Sequence, residues 1–361
     1  MQNHHIRVLN HLGEDLVLKE KLSALLEDFG QDDVHPLGVV TLGEEPTFID
    51  FQKWLQQGMH ANMDWIRRYQ NCRKDPSHIY DGAQTALLFG WSYHQGDTRQ
   101  IDVPKVAQYA RMKDYHKILK RKGEQLATLL RQGGHEAQVL VDTAPVLEKA
   151  LTASAGFGFV GRNTLYIHPK YGSWLLLMSV VVNQSLMEWK IKPVDSAVRS
   201  PRGGCGSCRR CETHCPTGAL ANYTLDARKC LAYYSIEHRD TVPLRYWRFF
   251  SEYIFGCDIC QLVCPYNRGV ALAAVPTRQI PNLYDMATMD QIFYEKSFGG
   301  TPMTRAKRVG LIRNALIAMT VTGHDQLSEA IAHCKVCEKD SVLLATLEQI
   351  DIYKKTSHFW N

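Results

Sequence analysis

The sequence CGSCRRCETHCP at residues 205–216 carries four cysteines in a C-x-x-C-x-x-C-x-x-x-C-P run. A second group follows it: Cys230, then CDIC at residues 257–260, then Cys264 directly before Pro265. Together the two groups supply eight thiolates, the number that two 4Fe–4S clusters with four ligands each require. The sequence therefore predicts that two such clusters form here and that the rest of the chain is arranged to use them.

Both cysteine groups end in Cys-Pro, which is typical of bacterial ferredoxins. In that pattern three cysteines of a run hold one cluster and the fourth reaches across to the other. The crossed pattern assigns one cluster to Cys205, Cys208, Cys211 and Cys264, and the second to Cys215, Cys230, Cys257 and Cys260. Structural zinc is the competing interpretation, because paired C-x-x-C knuckles are common in zinc sites, but two runs ending in Cys-Pro fit zinc poorly.

The bulk composition indicates a globular chain that makes metal or redox use of its cysteines. At 361 residues it is long enough for two or three domains, and 45% hydrophobic content is ordinary for globular proteins. The N-terminus has no apolar signal core or twin arginine, and no apolar run reaches the length of a membrane span. We therefore expect a cytoplasmic protein without a membrane partner. Its eleven cysteines favour metal chemistry over disulfides, and its net charge of +5 permits a polyanionic partner.

Hydrophobic periodicity predicts a mixed fold of the α+β class. We expect strands over residues 34–42, 85–93, 139–141 and 174–183, the last of them central, and helices over residues 14–29, 51–69 (interrupted at Gly58) and 105–132. Apolar stripes after residue 305 predict three short helices like a piece of a helical-repeat array. There, Cys334 and Cys337 form an isolated C-x-x-C, which we expect to pack in the core because two further metal ligands are missing.

The segment 190–204 is polar and contains Pro and Gly residues, so we expect it to be a linker between domains. The predicted organisation is an N-terminal α/β domain over residues 1–190, a dicluster ferredoxin-like domain over residues 191–272, and a short C-terminal helical, repeat-like segment over residues 273–361.

Two polar features of the N-terminal region allow more than one interpretation. Lys113, His116, Lys117 and Lys120 share one face of the predicted helix, which is either a solvated face or a contact for nucleic-acid phosphates. Asp142 follows a predicted strand and precedes a helix with Pro145 in its first turn, so it either caps that helix or has a chemical role. Three glycines within residues 156–161 then allow the backbone to approach a ligand closely.

A dicluster domain moves single electrons and does no chemistry on a substrate by itself. The N-terminal domain must therefore hold a further redox centre, for which flavin, cobalamin or haem would serve. The sequence has no C-x-x-C-H haem signature and no recognisable dinucleotide-binding fold. Elimination leads to a cofactor held mainly by backbone and apolar contacts.

Several motifs give the sequence a resemblance to a known family. They are VDTAPVLE at residues 141–148, AGFGFVGRNT at residues 155–164, YGS at residues 171–173, the first cysteine run with PTGAL up to residue 220, and YIFGCDICQLVCPYN at residues 253–267. In these motifs the chain resembles the epoxyqueuosine reductases of tRNA modification, over about residues 12–320. The DTAPVLE and GCDxCQ motifs are specific, whereas many ferredoxins share the cluster spacing.

The resemblance implies a cobalamin-dependent iron–sulfur enzyme, with cobalamin in the N-terminal domain. Family members reduce the epoxide of epoxyqueuosine to the alkene of queuosine, at the wobble base of a tRNA anticodon, in the last step of queuosine biosynthesis. The implied partners are the tRNA anticodon arm and an external low-potential electron donor such as flavodoxin or ferredoxin. Two alternatives stay open: a ferredoxin-type electron-transfer module without cobalamin, and a cobalamin enzyme that reduces a small organic molecule such as a halide.

The resemblance also implies roles for particular residues. Asp142 falls in the motif of the family's proton donor, and we expect burial near the cofactor to raise its pKa so that it donates near neutral pH. The implied cobalamin contacts are Arg73, Asp142, Asn163, Tyr166, Leu177 and Asp258. The implied RNA contacts are Lys149, placed to meet anticodon phosphates, and Lys113 and Lys117 of the basic helix.

Overall fold

The computed structural model describes residues 16–96, 105–185 and 204–356, with side chains from residue 20 onward. The polar N-terminus and nearly all of the predicted linker 190–204 lie outside the described residues. Within the described ranges, no helix is both long enough and apolar enough to cross a bilayer.

The first part of the chain, up to residue 185, alternates strands with helices. In chain order the elements are α1 (Leu16–Gln31), β1 (Val34–Thr41), α2 (Phe48–Gln56), α3 (Gln70–Lys74), β2 (Thr85–Ser92), β3 (Lys105–Val106), α4 (Tyr115–Gln132), β4 (Ala137–Leu140), α5 (Glu148–Ala153), β5 (Phe159–Val160), β6 (Tyr166–Ile167) and β7 (Leu175–Val182). Short 3₁₀ helices occupy Asp64–Arg67, Pro76–Ile79 and Gln108–Arg111.

A four-stranded antiparallel sheet in the order β1-β2-β7-β4 forms the centre of this part. All eight residues of β2 are buried, and β7, between its two neighbours, carries the run LLLMSVVV, which is apolar except for Ser179. Such runs suit strands covered on both faces. The four predicted strands are confirmed to within two residues at each end, and so is the central place of β7.

Two helix predictions are wrong in part. The interruption expected at Gly58 is confirmed, since the helix ends at Gln56 and Gly58 adopts φ +64°, but the helix does not resume as far as Tyr69, and a 3₁₀ helix over Asp64–Arg67 takes its place. The helix expected over residues 105–132 begins only at Tyr115. The first residues of the expected helix form β3 instead, and β3 pairs with a later strand. Asp114 then starts the helix by accepting a hydrogen bond from the backbone N–H of His116.

The second part of the chain, from residue 204, is mainly helical. Its elements are α6 (Arg210–Thr213), β8 (Leu220–Ala221), β9 (Thr224–Leu225), α7 (Leu231–Ile236), β10 (Tyr253–Phe255), α8 (Ile259–Leu262), α9 (Leu283–Thr288), α10 (Gln291–Phe298), α11 (Lys307–Thr322), α12 (Leu327–Cys337) and α13 (Ser341–Thr356). Four 3₁₀ helices occupy Ala227–Lys229, Leu244–Ser251, Pro265–Asn267 and Pro302–Ala306. The three helices predicted after residue 305 are confirmed as α11, α12 and α13.

One hydrophobic core joins the cluster segment to the C-terminal helices. Trp247 and Phe255 from the cluster segment, and Leu316 and Ile350 from α11 and α13, are fully buried in the same core. Cys334 is buried there too, with its thiol against the carbonyl of Ala287 at 3.3 Å, which confirms core packing for Cys334, whereas Cys337 is exposed and the expectation is wrong for that residue. The C-terminal helices therefore support the cluster segment directly.

The two parts of the chain are held together by a polar seam between loops that carry the YGS and CPYN motifs. The Gln261 side-chain amide donates to the Tyr93 hydroxyl and to the Ser173 carbonyl, both at 3.0 Å. Asn267 Oδ1 accepts from the backbone N–H of Ser173 at 2.7 Å. Gly172 has φ +60°, and a Cβ there would lie 2.1 Å from Asn267 Oδ1. Only glycine therefore allows the YGS turn to meet the CPYN loop.

Candidate active site

The predicted cluster ligands fall into two groups in space. A small cavity of about 40 Å³ is lined by Cys205, Cys208, Cys211 and Cys264. The other four lie near one another: burial raises the pKa of the Cys257 thiol to about 12, and the charges of Cys230 and Cys215 act in the same direction. Cys257 and Cys230 likewise act on Cys260, whose pKa is raised first by burial. These groups have the membership that the crossed pattern predicts, and the assignment of each thiolate to a cluster stays a prediction.

Asp142 lies just beyond β4, in a left-handed conformation with φ 46°. Its Oδ2 accepts hydrogen bonds from the Tyr115 hydroxyl at 3.0 Å and from His116 Nε2 at 2.9 Å. Both partners belong to the first turn of α4, so the helix fixes the carboxylate of the following loop. The Asp142 side chain is still 54% exposed. It therefore remains accessible to a ligand, beside a cavity of about 360 Å³ that is lined by His116 and by Val141 and Thr143, and this place is called the Asp142 cleft below.

The helix-cap interpretation of Asp142 is wrong. Helix α5 begins at Glu148, its N-cap position is Leu147, and no side chain caps it. Pro145 lies in the loop before the helix, outside the first turn where it was expected. The Asp142 carboxylate instead bonds to α4, which is distant in sequence. Because a non-glycine residue with positive φ is uncommon, the conformation of Asp142 needs such tertiary support.

The pKa of Asp142 shifts in the direction opposite to our expectation. Burial alone would raise it, but the hydrogen bonds from His116 and Tyr115 and the charge of His116 outweigh burial and hold the pKa below its usual value. Burial would lower the pKa of His116, yet Asp142 and Asp114 raise it. The sequence placed His116 on the outer basic face of its helix, whereas the structure pairs it with the candidate catalytic carboxylate.

Glu148 and Lys149 extend the site toward the cysteines. Glu148 Oε1 accepts from the backbone N–H of Asp142 at 3.4 Å, and burial, reinforced by the Asp142 charge, raises the pKa of Glu148 to about 8. Lys149 Nζ donates to the Thr164 carbonyl at 3.1 Å. Burial lowers the pKa of Lys149, while Asp142, Glu148 and Cys260 act against that shift. Lys149 is therefore within electrostatic range of both Asp142 and Cys260 of the second cysteine group.

Four of the residues expected to contact a cofactor lie in one apolar region of the N-terminal part or at its edge. Tyr166 and Leu177 are buried in one hydrophobic cluster with Val146, and Arg73 Nη1 reaches the Val146 carbonyl at 3.5 Å. Asn163 is buried at the start of the turn before β6. Three of these buried residues carry a polar atom that has no hydrogen-bond partner in the described part of the chain: Arg73 Nε, Asn163 Nδ2 and the Tyr166 hydroxyl. Such atoms are costly unless a ligand supplies the missing bonds.

Asp258, the remaining expected cofactor contact, lies at the junction of the two parts of the chain. It is 4% exposed, and its Oδ2 accepts from the backbone N–H of Gln108 at 2.8 Å. Burial raises the pKa of Asp258 to about 7. Beside it, β3 and β10 pair in parallel. Asp258 thus ties the second cysteine group to the segment that leads into α4 and the Asp142 site.

The basic residues are divided between two places. Lys113 and Lys117 are exposed beside α4, as a phosphate contact requires. Lys120 lines a cavity of about 360 Å³ together with His116, Tyr69 and Cys72. Among the described residues, these basic side chains and Lys149 do not form one continuous helical face, because α4 starts after Lys113.

Sequence reasoning missed a cationic and aromatic pair near the cleft. The Arg305 guanidinium lies 5.5 Å from the ring centre of Trp65, which is 43% exposed. Arg305 also forms a bidentate ion pair with Glu237, at 2.7 and 2.9 Å, and lies within electrostatic range of Asp142. No local pattern links residues so far apart, so only the fold reveals them.

The fold and the two cysteine groups define a double-cluster iron–sulfur protein with a carboxylate cleft beside one group. Residues 204–267 match the family model of the 4Fe-4S double cluster binding domain, and residues 73–143 match the model described as epoxyqueuosine reductase QueG, DUF1730. The chain is 33% identical over 317 residues to the epoxyqueuosine reductase of Pseudomonas aeruginosa, covering 83% of this chain and 85% of the relative. The chain belongs to the epoxyqueuosine reductase family.

Solved structures of similar proteins share the fold. The epoxyqueuosine reductase of Streptococcus thermophilus superimposes with a TM-score of 0.73 at 24% identity, covering 90% of this chain and 87% of that one. An epoxyqueuosine reductase solved with an epoxyqueuosine-modified tRNA-Tyr stem loop gives a TM-score of 0.76 at 22% identity, covering 91% and 89% of the two chains.

Proposed function

We propose that this protein reduces epoxyqueuosine to queuosine at the wobble position of tRNA. Family membership supports the reaction class. The observation that carries the proposal within this chain is the place of Asp142: an accessible carboxylate, with Lys149 in electrostatic range of both this carboxylate and Cys260 of the second cysteine group. Removal of an epoxide oxygen as water needs electrons and a positioned proton source together, and this cleft brings the two functions into one place.

We propose further that the N-terminal part binds cobalamin, which supplies a strongly reducing cobalt centre able to accumulate single electrons from the clusters. The residues fit such a ligand because the corrin ring combines an apolar surface with peripheral amides. Tyr166 and Leu177 belong to a buried apolar cluster that would support the ring from the protein side. The unpartnered polar atoms of Arg73, Asn163 and Tyr166 are available for the amides.

The protein's own residues then have distinct tasks. Tyr115 and His116 hold the Asp142 carboxylate toward the cleft. Lys149 supplies a cation in electrostatic range of both this carboxylate and Cys260, where negative charge arrives during reduction. Asp258 fixes the loop between Cys257 and Cys260 against the Gln108 backbone, so that the cluster-bearing loop keeps a constant distance from the cleft.

The proposed substrate is the tRNA anticodon arm. One relative of the same fold was solved with an epoxyqueuosine-modified tRNA stem loop. In this chain, exposed Lys113 and Lys117 are available for phosphates, and exposed Trp65 with Arg305 is available for stacking against a loop base. We propose that an external donor such as flavodoxin or ferredoxin supplies the electrons.

Anaerobic turnover with defined substrates tests the function. The reduced protein, loaded with both clusters and cobalamin, is offered a stem loop bearing epoxyqueuosine, the free nucleoside, or an aryl halide. We expect conversion of the stem loop to queuosine, with the free nucleoside much slower and the halide unchanged. Preferred turnover of the halide would instead identify a small-molecule reductase. Failure to bind cobalamin, with intact clusters, would favour an electron-transfer module.

A conservative substitution tests the cofactor site. Tyr166→Phe removes only a hydroxyl that has no partner within the described residues. We expect it to leave the stability of the cobalamin-free protein unchanged or slightly higher, and to weaken cobalamin binding by about two- to tenfold, as loss of one hydrogen bond does. Tyr353→Phe, buried on α13, is the matched control and should leave the affinity unchanged. Equal affinity in Tyr166→Phe would remove this hydroxyl from the site.

A further inference from the structure

The imidazole of His116 lies between two carboxylates. Its Nδ1 is 2.8 Å from Asp114 Oδ1, and its Nε2 is 2.9 Å from Asp142 Oδ2. A neutral imidazole carries a hydrogen on only one nitrogen and can donate to only one carboxylate, whereas imidazolium donates to both. The geometry therefore favours the doubly protonated ring.

The groups around this ring strengthen the same arrangement. The Tyr115 ring stacks on it at 4.1 Å between centres, and the Tyr115 hydroxyl shares Asp142 Oδ2 as acceptor. Lys120, Tyr69 and Cys72 line the same cavity as His116. Glu148 and Lys149 both interact electrostatically with Asp142.

The opposed pKa directions agree with this geometry. Burial would lower the pKa of His116, but the two carboxylates raise it, and the same contacts hold the pKa of Asp142 down against the effect of its own burial. At rest the exchangeable proton therefore belongs to the ring, and Asp142 is a carboxylate. An ionised carboxylate cannot act as an acid until it receives a proton from a neighbour.

We propose that His116 is the positioning residue that stores the proton which Asp142 passes to the substrate, with Asp114 holding the ring in place. This inference rests on the proposed function in taking Asp142 as the proton donor. Asp142 touches the reacting oxygen and His116 acts through it. The paired arrangement lets a residue with a low pKa work as an acid, because the proton is supplied across a single hydrogen bond.

The proton balance of the reaction can be met by this pair. Removing an epoxide oxygen as water and leaving an alkene consumes two electrons and two protons. The electrons come from the external low-potential donor through the clusters. One proton moves from His116 Nε2 to Asp142 Oδ2, and from there to the oxygen as its carbon–oxygen bond breaks. His116, whose side chain is 34% exposed, then takes a proton from solvent, and the second proton follows the same path.

A purely structural role for His116 predicts a different result. Two variants distinguish that role from proton storage. His116→Gln retains an amide donor for Asp142 but has no titrating proton. Tyr115→Phe removes the other donor to the same oxygen and leaves the titrating ring in place. If His116 stores the proton, His116→Gln lowers the single-turnover rate by at least about tenfold and abolishes the fall in rate at high pH, while Tyr115→Phe keeps that fall. If His116 only supports the structure, both variants should lose similar factors in single-turnover rate, and the shape of the pH profile should not change.

Asp114→Asn gives a second kinetic test. Asparagine caps a helix as well as aspartate does, but it removes one negative charge from the ring. The His116 proton should then be lost at lower pH. We expect the ratio of wild-type to variant rate to be at least about threefold larger at pH 8 than at pH 6. A ratio independent of pH would contradict the inference.

Histidine titration reports on the pair without any turnover. The full chain with its clusters is labelled with ¹³C-histidine, and the His116 signal is assigned as the one missing from His116→Gln. We expect a midpoint above the ordinary histidine value, and a lower midpoint in both Asp142→Asn and Asp114→Asn. An ordinary midpoint that neither variant changes would overturn the inference. A raised, carboxylate-dependent midpoint in a protein that does not reduce the tRNA stem loop would leave the proton pair standing and reject the proposed function.

Discussion

The cluster segment and the Asp142 cleft are built in contrasting ways. The cluster segment gathers its ligands from about sixty consecutive residues, within the 204–267 match to the double-cluster domain. The cleft takes Tyr115 and His116 from α4, Asp142 from the loop after β4, and Arg305 from beyond the cluster segment. The first kind of site is encoded in spacing. The second kind exists only because the sheet and the seam bring distant segments together.

This difference determines what a single substitution should do in each region. A cluster ligand acts through one bond to a metal, so its loss should remove one function completely. A cleft residue acts through a shared network, so its loss should change rates and pH dependence by degrees. The following predictions run from the largest expected effect to the smallest.

Cys260→Ser should have the largest effect. The intact protein should contain about eight iron atoms per chain, and the variant about four, with turnover lost. Cys337→Ser is the matched control, because Cys337 is exposed and distant in sequence from the cluster motifs. Iron analysis and visible absorption measure the outcome. Zinc in place of iron in the wild-type protein, or normal turnover in Cys260→Ser, would contradict the assignment of the cluster ligands from the cysteine spacing.

Gly172→Ala should damage the seam on which the cleft depends. The alanine would require φ +60° and would place a methyl group 2.1 Å from Asn267 Oδ1. Gly134→Ala, at φ +85° with nothing within 4 Å of the new methyl group, carries the backbone strain alone. We expect Gly172→Ala to cost about 1–3 kcal/mol more than Gly134→Ala, by overpacking. Denaturant unfolding of the two variants measures the difference, and equal costs would show that the contact has no energetic weight.

Glu148→Gln should change the pH dependence of stability. The folded-state pKa of Glu148, about 8, lies above its usual 4.5. The group therefore contributes stability that is fully present below about pH 4.5 and is lost as the pH rises through about 8. Glutamine does not titrate, so the variant should gain melting temperature relative to the wild type across this range, by roughly 2 °C or more. Parallel melting temperatures between pH 5 and pH 9 would contradict the raised pKa.

The double substitution Lys113→Ala with Lys117→Ala should have the smallest effect, on tRNA affinity. If both side chains meet phosphates, the slope of log affinity against log salt should fall by about 1.5. Lys335→Ala with Lys339→Ala removes the same charge from exposed positions beside α12 and is the matched control. Binding of an anticodon stem loop over a salt series measures both pairs. An equal change in the two pairs would indicate a general charge effect and no phosphate contact at α4.

More of the cluster segment than of the Asp142 cleft could be predicted from the sequence. Cysteine spacing was sufficient to predict the two groups later found together in space, and apolar runs were sufficient for the four sheet strands. The start of α4 was misplaced because the pairing of β3 with β10 and the Asp114 cap compete with helical periodicity. The sequence singled out Asp142 but not its pairing with His116, because hydrogen bonds across 26 residues leave no local pattern. The predicted rise of the Asp142 pKa was wrong for the same reason.

The role of Asp142 in reducing epoxyqueuosine on tRNA is tested most directly by one rate comparison. Asp142→Asn suits the left-handed φ of 46° and keeps an oxygen acceptor for Tyr115 and His116, but it cannot pass on a proton. Fully reduced wild type and variant, each with both clusters and cobalamin bound, are mixed with an epoxyqueuosine-bearing stem loop, and queuosine is followed in a single turnover. We predict that the wild type forms queuosine and that the variant is slower by at least about a hundredfold. Equal rates in the two proteins, or no queuosine from the wild type, would contradict this account.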